Sequence, residues 1–146
     1  VRVLLSIDMA ASNPKHPWHV PVSWIRDYGR GRVFYTNLGH NDATWGDAAF
    51  QKHFTEGTAW ALEKFDAASK ANPSVQAAEY LRSAVAAAGE LEGIEHDRLR
   101  AQVDAKIAAD PSWAVQMRPQ LVALRSLNGE KMSTALKQFV EDIQRD

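Results

Sequence analysis

The order of hydrophobic and polar residues changes along the chain, and its front part predicts strands. Residues 1–7 form an apolar run without clear alternation, which is typical of a strand covered on both faces. Residues 11–17 contain two prolines and predict a loop. Residues 20–28 and 32–39 have strand composition on either side of a glycine-containing turn, and together they predict a β-hairpin. Pro21 restricts the first hairpin strand to a sheet edge, or else it marks the beginning of that strand.

Helical periodicity begins after the hairpin. Residues 47–65 carry apolar side chains at helical spacing, and this stripe predicts a helix that packs against the sheet. The stripe consists of Phe50, Phe54, Ala61 and Phe65, with Trp60 flanking it.

The rear of the chain predicts four further helices joined by short loops, which is typical of a small antiparallel bundle or a repeat-like array. Pro119 lies within the third of them and predicts a kink or a split. The four helices cover residues 73–88, 94–109, 111–127 and 130–144, and the apolar stripe of the first is Val75, Ala78, Leu81 and Val85.

Composition divides the chain at the same place. Ten of the thirteen aromatic residues lie between Trp18 and Phe65, whereas the residues from Asp66 on are rich in alanine. We therefore expect a front domain at residues 1–66, a linker at 67–72 and a helical extension at 73–146. The chain starts without Met and directly in an apolar strand, so we expect the native protein to continue upstream.

Charge and cysteine content narrow the classes of function. Seventeen Lys and Arg against eighteen Asp and Glu leave a net charge of −1, which predicts no nucleic-acid partner. No apolar run approaches the roughly 18 residues of a membrane span. The absence of cysteine excludes disulfides, thiolate ligands and cysteine nucleophiles, and it leaves the compartment of a soluble protein open between cytoplasm and periplasm.

The candidate functional positions lie in the connector at residues 39–46. This segment follows a predicted strand and precedes a predicted helix, which is where open α/β sheets form their ligand crevices. Its polar and aromatic residues are His40, Asn41, Asp42 and Trp45.

A longer string around this connector resembles a known family. Residues 21–40, together with 50–54 and 60–62, resemble the C-terminal part of the ThuA-like (trehalose utilisation) family, and the resemblance covers about residues 1–65. It implies an α/β fold, part of a flavodoxin-like or class I glutamine amidotransferase-like parallel sheet with a β-hairpin, followed here by the all-α four-helix extension. It also implies a role in carbohydrate catabolism. The family's N-terminal half is absent, and with it the position of an amidotransferase cysteine, so glutaminase chemistry has no support.

The resemblance gives His40 a functional reading as a general acid or base, or as an imidazole that binds a sugar. The alternative is a histidine that caps the following turn. Asp42 and Asn41 are candidate ligand contacts, although an Asn-Asp pair before a helix is also a common cap. Trp45 and Tyr35 are aromatic surfaces for a sugar ring, as are Trp18 and Trp24, while ordinary packing is the competing reading for Trp24 and Tyr35.

Two further histidines complete the candidate residues. His16 and His19 lie three apart in the predicted loop, and with His40 they form a weak candidate set of metal ligands. Their spacing matches no metal-binding signature, so we predict no metal site. His19 is also a candidate ligand contact. The sequence points to no particular cofactor.

Two functions of different classes follow. One is binding or processing of a carbohydrate by a ThuA-like domain. The alternative is a non-catalytic accessory subunit that packs in a larger assembly through its sheet edge and C-terminal helices. Its partner would be the missing N-terminal half of the domain or another protein subunit.

Overall fold

The structure, a computed structural model, describes residues 1–13 and 15–145. The chain divides into two compact units. Unit 1 comprises Val1–Ile7 and Pro21–Asn72, and unit 2 comprises Asp8–Val20 and the chain from Pro73 onward. Residues 8–20 are thus grouped with the rear helices, although they lie between two segments of unit 1 in the sequence.

Unit 1 is built on a three-stranded antiparallel sheet. Its strands are β1 (Arg2–Ser6), β2 (Pro21–Tyr28) and β3 (Gly31–Thr36), in the order β1-β2-β3. The predicted hairpin of β2 and β3 is confirmed, and Gly29 in its turn has a φ of +61°, which a side chain would disfavour. Pro21 is the first residue of β2, where its missing N–H interrupts no ladder.

The expected mixed α/β fold with a helical extension is confirmed, but the sheet differs from a flavodoxin-like one. Both strand pairs among the described residues are antiparallel, and a hairpin turn as short as Gly29-Arg30 can join strands in no other way. The prediction that β1 is covered on both faces is wrong. β1 lies at the sheet edge, and Leu4 and Leu5 are 38% and 39% exposed.

Two helices complete unit 1, a short α2 (Asp42–Gly46) and α3 (Ala48–Ala61). α3 packs on β3, where Gly57 meets the ring of Phe34. The predicted helix ends early, because Leu62 is its C-cap and Glu63 has a φ of 59°. Phe65 is therefore exposed, and Trp60 is the buried residue near the end of the stripe.

In unit 2 the other helices pack around one central helix. Its helices are α1 (Met9–Ser12), α4 (Pro73–Gly89), α5 (His96–Ala109), α6 (Pro111–Gln116), α7 (Arg118–Leu124) and α8 (Gly129–Arg145). α4 contacts all the others, and its alanines allow these close approaches. Leu81, Ala84 and Ala88 on α4 are fully buried in the cluster that the helices share. No helix in the described part of the chain is long and apolar enough to span a membrane.

In unit 2 the structure differs from the prediction in three details. The third predicted helix is split into α6 and α7, because Pro119 fits only in the first turn of a helix, so five helices follow residue 73. Val75, which was predicted to lie in the apolar stripe of α4, is 55% exposed, and the first buried residue of this helix is Ala77. The predicted loop at residues 11–17 begins as the end of α1, and Pro14 within it lies outside the described residues.

Candidate functional site

The backbone of residues 39–46 is held at both of its ends by side chains. Gly39 has a φ of +101°, and the indole N–H of Trp45 donates a 2.8 Å hydrogen bond to its carbonyl. A Cβ at Gly39 would lie 3.2 Å from Cζ2 of Trp45 and 3.3 Å from Cζ of Phe50. This position therefore requires glycine for both its conformation and its packing.

The rest of the segment forms the single turn of α2. The side-chain oxygen of Asn41 caps it, accepting hydrogen bonds from the Thr44 N–H at 2.9 Å and the Thr44 hydroxyl at 3.0 Å. Gln51 donates from its side-chain amide to the carbonyl of Trp45 at 2.7 Å. Asp47 caps α3 by accepting from the N–H of Phe50 at 2.7 Å. Asn41 thus performs the capping role that was the alternative reading of His40.

His40 lies between Gly39 and Asn41, whose positions are fixed by the hydrogen bonds described above. Its side chain is exposed, and within residues 1–13 and 15–145 the imidazole has no hydrogen-bond or ring partner. Asp42 is also exposed, in the first turn of α2. The segment therefore presents an imidazole and a carboxylate to solvent from a backbone held by other side chains.

Trp45 adds an apolar surface to the same segment. The residue is 47% exposed, and its ring contacts Phe50 and Phe54 edge to face at centroid distances of 5.1 and 5.3 Å. Because its N–H is bonded to Gly39, a ligand would meet only its aromatic surface.

Tyr35 lies on the other face of the sheet. Its ring stacks on Trp24 at 5.0 Å, whereas its neighbour Phe34 packs against α3, and adjacent strand residues point to opposite faces. Phe54 contacts both Phe34 and Trp45, so Trp45 lies on the α3 side. The structure does not bring Tyr35 together with Trp45.

The histidines of residues 8–20 belong to unit 2. His16 stacks on Trp18 at 4.4 Å, and the ring of His19 lies 6.3 Å from that of Tyr80. Burial, and secondly the positive charge of Arg118, lower the pKa of His19. Nowhere in the described chain do three His, Asp or Glu side chains group in a way that could hold a metal ion.

The sequence did not predict one polar pair in unit 1, which consists of Ser23 and His53. Nε2 of His53 lies 2.9 Å from the hydroxyl of Ser23, which is fully buried and donates to the carbonyl of Tyr35 at 2.8 Å. Because Ser23 has one proton and gives it to Tyr35, the His53 Nε2–H must be the donor in the other bond. A serine held in this way is no nucleophile. The spacing of Phe50, His53, Gly57 and Trp60 on one helical face was the signal that could have revealed His53.

Arg32 is the second missed residue. Although Arg32 lies beside the hairpin turn, as the second residue of β3, its side chain is only 20% exposed. It donates to the carbonyls of Trp60 at 3.2 Å and Phe65 at 3.0 Å, and it pairs with the carboxylate of Asp66. Arg32 therefore fixes the chain that follows α3 to the sheet.

Among the comparisons with known proteins, one match covers the front part of the chain. A family model described as ThuA, trehalose utilisation, matches residues 1–61. No curated protein matches the chain, and no solved structure does. The resemblance seen in the sequence is thus confirmed over this segment, which includes every candidate site residue.

Proposed function

We propose that unit 1 binds a carbohydrate at residues 39–46, with His40 as its main polar contact. The class of ligand is suggested by the description of the matching family as one of trehalose utilisation. The observation that carries the proposal is the exposed, unpartnered imidazole of His40 on a backbone fixed by Trp45 and Asn41.

A fixed backbone favours binding because less conformational entropy is lost when the ligand arrives. A carboxylate accepts hydrogen bonds from sugar hydroxyls, and a neutral imidazole accepts through one ring nitrogen and donates through the other. Asp42 is the carboxylate of this segment, and the next aspartate, Asp47, is engaged as the cap of α3. The exposed ring of Trp45 supplies the apolar surface on which the C–H face of a sugar packs.

Processing of the bound carbohydrate would require more than binding. The imidazole of His40 is a group that can transfer a proton to or from a sugar hydroxyl or carbonyl. Glycoside hydrolysis would require a second carboxyl at a defined separation from the first. Binding is therefore the property to measure first.

We would test it by NMR titration of the ¹⁵N-labelled chain with trehalose and then with a panel of mono- and disaccharides. We expect amide shifts at residues 39–46, and the variant His40→Ala should weaken binding by about tenfold through loss of a hydrogen bond and a contact. Because the side chain of His40 is exposed, the melting temperature of His40→Ala should equal that of the wild type.

His96→Ala is the matched control, since it removes an imidazole from α5 in unit 2. It should leave the affinity unchanged. An affinity in His40→Ala equal to that of the wild type would contradict the proposal, and so would a panel in which no saccharide shifts this segment.

A second candidate, an accessory subunit in a larger assembly, is favoured by one observation. Unit 1 exposes the apolar side chains of Leu4, Leu5 and Ile7 on and after its edge strand β1. Native mass spectrometry of the protein from its source tests this candidate. A stoichiometric complex that Leu5→Lys disrupts would support it, and a single free chain would count against it.

A further inference from the structure

The outer edge of β1 is occupied by a side chain. The N–H of Val3 donates to Oδ1 of Asn72 at 2.9 Å, and Nδ2 of Asn72 donates to the carbonyl of Val3 at 3.0 Å. Val3 lies opposite Trp24 on β2, and in antiparallel pairs every second residue points both backbone groups away from its partner. The carboxamide of Asn72 therefore takes the place of one peptide group of a neighbouring strand.

Asn72 is the last of three anchors along residues 62–72, a segment we call the strap. Asp66 pairs with Arg32 on β3, Ser69 donates a hydrogen bond to Asp27 on β2, and Asn72 bonds Val3 on β1. The strap thus contacts all three strands in turn and reaches the outer edge of β1 at its end.

The strand that it reaches is prone to association. β1 has the sequence Arg-Val-Leu-Leu-Ser, with a single charge and neither proline nor glycine, and Leu4 and Leu5 are exposed. Apolar edge strands without such protective residues tend to pair with strands of other molecules.

We propose that Asn72 is an edge guard that keeps β1 from pairing with the β1 of a second copy of this chain. The second copy is the fitting partner because antiparallel pairing of two identical strands is self-complementary. In that pairing the groups of Val3 that now bond Asn72 bond the other strand, and the exposed leucines of both copies become neighbours.

Light scattering after gel filtration of the full chain tests this proposal over a range of concentrations. The wild type should have the 16.2 kDa mass of one chain. Asn72→Ala should approach twice that mass at concentrations at which the wild type remains a monomer. Ser69→Ala is the matched control, because it frees an anchor of the strap from β2 without uncovering β1, and it should remain monomeric.

Two further measurements separate edge pairing from unfolding. Leu4→Lys, which adds a charge to the edge, should return Asn72→Ala to a monomer. In dilute Asn72→Ala the Val3 amide should exchange with solvent at least about tenfold faster than in the wild type, and it should regain protection at high concentration.

A monomeric Asn72→Ala would overturn the proposal, as would association that is equal in Ser69→Ala. Association without concentration-dependent protection of Val3 would also overturn it, because the contact would then lie elsewhere.

Discussion

Unit 2 and unit 1 are stabilised by different kinds of contact, although each contains a long helix. In unit 2 aliphatic side chains form a continuous cluster around α4, with Leu81, Leu99 and Leu121 among its fully buried members. In unit 1 the large buried side chains are Val22, Ile25, Phe50 and Trp60, and much of the chain is fixed by side chains that bond distant backbone groups.

The arginine, asparagine and tryptophan contacts of unit 1 illustrate the difference. Arg32, Asn72 and Trp45 each bond a carbonyl outside their own element. Such bonds fix particular positions, whereas apolar burial stabilises a whole helix face without regard to direction. The unit with directional contacts is also the one that presents a fixed, exposed segment around His40.

The largest expected effect tests the apolar half of this comparison. Leu81→Ala removes a fully buried side chain from the centre of α4 and should cost about 2–5 kcal/mol, because it leaves a cavity. Val75→Ala on the same helix is the matched control and should cost less than about 0.5 kcal/mol, since Val75 is largely exposed. Urea unfolding followed by circular dichroism measures both. Equal costs at the two positions would refute the burial assigned to α4.

The next effect tests the packing of unit 1. In Gly57→Ala the new Cβ would lie 2.5 Å from Cε2 of Phe34, so the ring or α3 must move, at a cost of about 1–3 kcal/mol. Gly46→Ala is the control, because a Cβ there meets no atom within 4 Å. The two variants should differ clearly in urea midpoint. A Gly57→Ala variant as stable as Gly46→Ala would mean that α3 does not approach β3 so closely.

The smallest effect is a dependence on pH that comes from the Ser23–His53 pair. Burial lowers the pKa of His53 from 6.5, while the charge of Glu56 opposes the shift. Below pH 6.5 the unfolded chain then binds more protons than the folded one, so stability falls as the pH falls through this value. His53→Gln keeps a donor for Ser23 and removes the titration.

Urea unfolding at about pH 7.5 and about pH 5 should therefore show a smaller loss of stability in His53→Gln than in the wild type. Burial also lowers the pKa of His19 in unit 2, so His19 too should reduce stability as the pH falls. The variant His19→Gln measures this second contribution separately. If His53→Gln and the wild type lose the same amount of stability between these two pH values, the Ser23–His53 pair contributes nothing to the pH dependence.

Local patterns predicted much of the secondary structure. The glycine turn predicted the β2–β3 hairpin, the position of Pro119 predicted the break between α6 and α7, and the helical pattern of residues 130–144 predicted α8. These features depend on residues close together in sequence, so periodicity and backbone chemistry suffice.

The candidate site was predicted less completely. Residues 39–46 were singled out from their place between a strand and a helix, and a cap at the Asn41-Asp42 pair was one of two readings, but the short helix α2 and the bond of Trp45 to Gly39 were not foreseen. Tyr35 was grouped with Trp45, and the two lie on opposite sides of the sheet. The alternation of side chains along a strand predicts which residues share a face of the sheet. It does not predict which of the two faces the helix covers, because that depends on tertiary packing.

By itself the sequence determined the β2–β3 hairpin, the long helices and the break at Pro119, and it showed that residues 1–61 carry a ThuA-like segment. Only the tertiary structure decided that β1 is an exposed edge, that Arg32 bonds a carbonyl of the chain after α3 and that Asn72 closes the edge at Val3. Asn72 and Val3 are 69 residues apart, and a hydrogen bond depends on the positions of both partners. Such contacts arise when distant segments pack, and no local pattern of residues encodes them.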